Sequence, residues 1–166
     1  MAFFEWDDSL SVGVPLVDAD HQVLISLINQ LHDTLEDPEA AATVGSVLSA
    51  LEDYTGYHFT REERAMEAVD YPTLPEHHER HEKLKQQVAE IRARYARDPA
   101  AVDGQEVLDF LKDWLKNHIL QEDMAYRPYM EGRPEAISAA EEVAFVDLDD
   151  LDELEMDGLN EVNNAL

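Results

Sequence analysis

No cysteine occurs anywhere in the 166 residues. That excludes a disulfide framework, thiolate zinc sites and cysteine nucleophiles together, and it suits a reducing compartment. Basic residues are scarce as well, 12 Lys and Arg against 38 Asp and Glu, for a formal net charge of −26. So negative a surface repels a phosphate backbone and attracts cations, and nucleic acid is not an expected partner. Long apolar runs are missing. The first residues, Met1 to Asp8, carry no basic n-region, and no stretch has the length of a signal peptide or a membrane span. These absences together predict a cytoplasmic protein without membrane contact; a monomer is the default expectation.

What is present is helical periodicity. Val23, Leu24, Leu27, Ile28, Leu31 and Leu35 form one stripe over about residues 20–36, ending before Asp37-Pro38. A second runs from Val44 through Leu48, Leu51, Tyr54, His58, Ala65 and Met66 to Val69, closed by Tyr71-Pro72-Thr73-Leu74-Pro75. The third starts near Pro75 or Glu76 and carries Leu84, Val88, Ile91 and Tyr95 before Asp98-Pro99; the fourth holds Val107, Leu108, Leu111, Trp114, Leu115, His118, Ile119, Met124 and Tyr126. Four amphipathic helices with short connections predict an all-α, antiparallel up-down-up-down four-helix bundle. Residues 6–18, with Gly13 and Pro15, read as an extended N-terminal arm whose apolar side chains pack on the bundle.

Beyond Gly132-Arg133-Pro134 the composition changes. Residues 131–166 contain twelve acids against one arginine, and Val143 to Met156 alternates acid with large apolar side chains. The expectation is a bundle domain over 1–131 and an acidic, disordered tail over 132–166. The apolar members leave open a second reading, a segment that folds onto a protein partner.

Five of the seven histidines fall into the series His21, then His58 with Glu62, then His77 with His81, then His118 with Asp123. Residues i and i+4 lie about 40° apart around a helix, so His58/Glu62 and His77/His81 each share a face. His118 and Asp123, five apart, differ by about 140° in a regular helix, and a one-turn π-bulge is needed to restore a common face. Taken singly, each histidine or pair has an ordinary explanation as a boundary residue or as polar neighbours on a helix surface. Together they put inward histidines or carboxylates on all four helices, and burying so many ionisable groups without a metal costs several kcal/mol each. Seven nitrogen and oxygen donors without sulfur suit two ions of iron, manganese, zinc or copper, with Glu62 and Asp123 free to bridge. Trp114, Leu115 and Ile119, around His118, are candidates for an apolar wall of the site, a role compatible with plain core packing. His32 reads as a boundary residue and His78, next to His77, as an exposed one.

The chain resembles the hemerythrin family, in particular the bacterial hemerythrins. The likeness rests on Val12-Gly13, Asp18-Ala19-Asp20-His21, Asn29-Gln30-Leu31, His58-Phe59 with Glu62-Glu63 and Met66, Tyr71-Pro72 with His77 and His81, and Trp114-Leu115 with Asn117-His118-Ile119 and Asp123. It implies a non-haem di-iron centre with a bridging oxo or hydroxo group. One iron would take His77, His81 and His118, the other His21 and His58, and Glu62 and Asp123 would bridge. The two-histidine iron would keep one open position for dioxygen. The expected function is reversible dioxygen binding for storage, delivery or buffering, and not an enzymatic one. An alternative is an oxygen or redox sensor read by a partner through the tail; a peroxidase or oxidase ranks below both.

Overall fold

The computed structural model describes residues 2–37 and 41–143. Four main helices run antiparallel: α1 (Pro15–Leu35), α2 (Ala41–Ala68), α3 (Leu74–Arg97) and α4 (Gly104–Asn117). The fourth column continues through a π-helical turn, His118–Asp123, into α5 (Met124–Met130). Among the described residues there is no strand, and no helix is long and apolar enough to cross a membrane.

Most of the expected stripes are buried or half-buried, but Val23, counted in the first of them, faces solvent at the edge of the α1 stripe. Leu24, Ile28 and Leu31 of α1 meet Val44, Leu48 and Leu51 of α2, Leu84 and Val88 of α3, and Leu108, Leu111 and Leu115 of α4 in one core. Burial of these faces drives the association, each large aliphatic side chain contributing on the order of 2 kcal/mol. Helix α1 starts at Pro15, five residues before the start expected at about residue 20. Proline is preset for the first turn of a helix, so Pro15 begins α1 where the sequence suggested a break.

The N-terminal arm lies on the bundle and is fastened by side chains standing in for a strand partner. Asn29 pairs with Phe4 in both directions, accepting from its N–H and donating to its carbonyl at 2.8 Å each. Asp18 accepts from the N–H of Val12 at 2.8 Å, and Arg127 donates to the carbonyl of Ser11 at 2.8 Å. Gly13, between these ties, has φ +82°, and a Cβ there would stand 2.8 Å from Cγ of Glu131. Only glycine meets both conditions without strain.

The boundary expected after residue 131 does not mark the end of the packed chain. Residues 134–141 form α6 (Pro134–Glu141), which packs against α2 and α1 with Ala136 and Ala140 fully buried. Two alanines four apart give a flat apolar strip that a hydropathy reading barely registers. Of the alternating segment Val143 to Met156, only Val143 lies within the described residues.

Candidate metal centre

Each helical column contributes to one buried cluster, towards the end of the bundle where α1 and α3 begin. His21 comes from α1, His58 and Glu62 from α2, His77 and His81 from α3, and His118 and Asp123 from the two ends of the π-turn. The wide turn is what brings the last two together. Met124 N–H bonds to the carbonyl of Ile119, five residues back, so His118 and Asp123 return to one face and Nε2 of His118 stands 3.1 Å from Oδ1 of Asp123. The distortion expected from the five-residue spacing is present.

The donor atoms sort into two pockets. In the first, Nε2 of His81 is 3.1 Å from Oε1 of Glu62, and Nε2 of His77 and of His118 each lie 3.1 Å from Oδ1 of Asp123. In the second, Nε2 of His21 lies 3.4 Å from Oε2 of Glu62 and 3.2 Å from Oδ2 of Asp123, with Nε2 of His58 3.3 Å from Oε2 of Glu62. Each carboxylate thus turns one oxygen to each pocket. Two ligands at right angles around an ion, each about 2.1 Å from it, stand about 3.0 Å apart, close to these spacings.

The polar atoms support the same reading. All five Nε2 atoms, Oε1 of Glu62 and both oxygens of Asp123 are buried and lack a hydrogen-bond partner. Unpartnered buried polar atoms are rare because each costs about 1–3 kcal/mol. Here the orphaned atoms are the expected donor set, and a metal pair would satisfy them all. Sulfur is absent and imidazole dominates, which fits divalent first-row transition metals better than magnesium or calcium.

The opposite ring nitrogens of two histidines meet carboxylates. Nδ1 of His58 donates to Oδ2 of Asp20 at 2.9 Å, and Nδ1 of His81 to Oε2 of Glu63 at 2.6 Å, fixing the tautomer that leaves Nε2 free for a metal. Nδ1 of His21 is buried without a partner. Glu63 also accepts from the exposed His78 at 2.8 Å, and His32 is a boundary residue stacked on Phe3. Below the cluster the Tyr126 hydroxyl donates to Oε2 of Glu62 at 2.6 Å. Burial, then the charges of Asp123 and Glu62, push that phenol well above its usual range, so it stays a neutral donor. Phe59 stacks on His81 at 3.7 Å between ring centres.

Asp20, Glu63 and Tyr126 were not singled out in sequence as partners of the site. For Asp20 a signal existed: it stands four residues before Leu24, on the buried stripe of α1, where an unpaired acid is improbable. Of the three expected wall residues, Leu115 and Ile119 are buried and Trp114 stacks on the His118 ring at 5.0 Å.

Without metal the cluster holds protons. Burial works against charge on His58, yet Glu62 and Asp20 outweigh it and carry its pKa up to about 10. Burial likewise disfavours ionised Glu62, but His58, His21 and His81 hold that carboxyl well below its usual range. The sign follows directly. A raised His58 pKa contributes stability below about pH 6.5 that is lost as pH rises through about 10, and the depressed carboxyl contributes stability above about pH 4 that is lost in acid. A metal needs His58 neutral at Nε2, so loading at pH 7 displaces its proton. Calorimetric titration of metal-free protein with ferrous ion in buffers of different ionisation enthalpy is expected to show proton release, and affinity is expected to rise with pH.

Residues 12–130 match the family of the hemerythrin HHE cation binding domain. A bacteriohemerythrin of Stenotrophomonas maltophilia is 37% identical over 126 residues, covering 76% of this chain and 80% of that protein. One from Methylococcus capsulatus is 32% identical over 129 residues, covering 77% and 97%. The crystal structure of wild-type hemerythrin superposes with a TM-score of 0.72 at 30% identity, over 79% of this chain and all of that one.

Proposed function

Because the chain belongs to the hemerythrin family, we propose that its two pockets hold a pair of iron ions and that the protein binds dioxygen reversibly, for storage, delivery or buffering. The observation that carries this reading is the unequal donor count. The pocket of His77, His81 and His118 gathers five ligating residues, that of His21 and His58 only four, with Glu62 and Asp123 common to both. Two ferrous ions held there would supply the two electrons that reversible uptake of dioxygen needs. With fewer protein donors, the pocket of His21 and His58 is the one that would leave an ion a place for an outside ligand such as dioxygen.

The protein's own residues then have separate tasks. The five imidazoles, neutral at Nε2, hold the ions without cancelling their charge, and the two carboxylates fix their separation. Asp20 and Glu63 keep His58 and His81 in the metal-binding tautomer. Tyr126 holds Glu62 in its bridging orientation. Leu115 and Ile119, both buried, would keep water from the ferrous pair and so protect it from irreversible oxidation, and Trp114, stacked on His118, would cover the three-histidine side.

The test is metal analysis of the purified, reduced protein together with its visible spectrum under argon and air. Two irons per chain and an absorbance change that reverses on deoxygenation are expected; two irons without such a change would refute oxygen carriage. Leu115→Gln is expected to retain both irons and shorten the life of the oxygenated form by on the order of tenfold, read from the spectral decay in air.

A further inference from the structure

Asp20 does more than orient His58. Its Oδ2 accepts from Nδ1 of His58 at 2.9 Å and lies 3.1 Å from Nε of Arg61, while its Oδ1 accepts from the Tyr54 hydroxyl at 2.8 Å. Arg61 is itself buried, 5% exposed, and its Nη2 reaches the other way, donating to the main-chain carbonyl of Val143 at 2.7 Å. The Tyr57 hydroxyl meets Nη2 of Arg61 and, at 3.5 Å, the same carbonyl, and the guanidinium lies 5.0 Å from the Tyr57 ring centre. Val143 lies two residues past the last residue of α6, whose Ala136 and Ala140 are sealed against the bundle. An unbroken line of polar contacts therefore runs from a histidine of the four-residue pocket, through one buried ion pair, to the end of the C-terminal helix.

We infer that Arg61 is a positioning residue that couples the metal pocket to the C-terminal segment, so that a metal on His58 strengthens the seating of α6 and the seating of α6 in turn sets the orientation of His58. The physical ground is the narrowness of the connection. A buried carboxylate has few ways to satisfy its oxygens, and a buried guanidinium fewer. A metal ion on Nε2 of His58 fixes the imidazole in one place, so that its Nδ1–H holds Asp20 in one position, and Arg61 is held with Asp20. If α6 lifts, Arg61 loses the Val143 carbonyl and its grip on Asp20 changes. Coupling between two sites is reciprocal, so each effect implies the other. Glu63, the corresponding carboxylate on His81, spends its hydrogen bonds on His81 and His78 of α3, whereas the polar line to Val143 starts from His58 on the two-histidine side. The inference rests on the proposed metal site but not on its dioxygen chemistry.

Hydrogen exchange on the full chain, metal-free against zinc-loaded and ferrous-loaded, tests it. Amides of residues 137–143 are expected to exchange about tenfold more slowly with either metal bound. Arg61→Lys, which keeps the charge but loses the fork, is expected to bind metal and to lose this difference. Ala140→Glu, which unseats α6 in the intact chain, is expected to retain two irons and to shift their reduction potential. The shift should match in sign that of Arg61→Lys, with no further change in the double variant. Equal exchange with and without metal, or a potential unmoved in Ala140→Glu, overturns the coupling. Because zinc carries no dioxygen, the exchange result stands whether or not reversible oxygenation is observed.

Discussion

Glu62→Ala is expected to lose both metal ions, not one. Glu62 turns Oε1 towards the pocket of His77, His81 and His118 and Oε2 towards that of His21 and His58, so a single truncation withdraws a ligand from each. Positioning partners of metal ligands typically change affinity 10–100-fold, and a ligand common to two ions is expected to exceed that range. Glu63→Ala supplies the comparison. It removes only the acceptor of Nδ1 on His81 and is expected to weaken metal binding by about 10–100-fold while leaving two irons at saturating metal. Metal analysis after gel filtration separates the cases, and a Glu62→Ala protein with two irons and an unaltered spectrum would refute the bridging assignment.

The second large effect is thermal. Eight of the orphaned side-chain atoms belong to the two pockets' expected donors, and binding metal to them stabilises the folded state by mass action. At a free metal concentration about a thousand times the dissociation constant the gain is about 4 kcal/mol for each ion bound. For a chain of this size that corresponds to a rise in Tm of roughly 8–16 °C per ion. Melting the same preparation with and without a strong chelator measures it; coincident curves would mean that the cluster is not a metal site. The Glu62→Ala chain is expected to melt at one temperature under both conditions.

Periodicity located the helices because the side chains facing the core are apolar and recur with the helical turn, and the same facing placed the histidines. His118 and Asp123 are instructive: their spacing violated the helical period, and the violation was itself readable as a π-turn. Features that rely on neither period nor composition were not legible. Pro15 starts α1 although proline in isolation suggests a break, and α6 seats itself with two alanines. Asp20 lies next to His21 in the chain yet serves His58 on the neighbouring helix, a pairing that only packing creates.

The π-turn also bears on how the centre is loaded. Tyr126 and Met130, both fully buried, fix the rotation of α5 through their packing, and α4 is fixed by Leu108, Leu111 and Leu115. A regular helix joining those two anchored halves would have one residue too many, and the surplus is taken up between His118 and Asp123. The core packing of α4 and α5 thus supports the bulge from both ends without using a donor atom of the site, and it holds Asp123 facing His118. Ion uptake is therefore expected to be a single fast phase, governed by entry, with no slow rearrangement of the helix behind it.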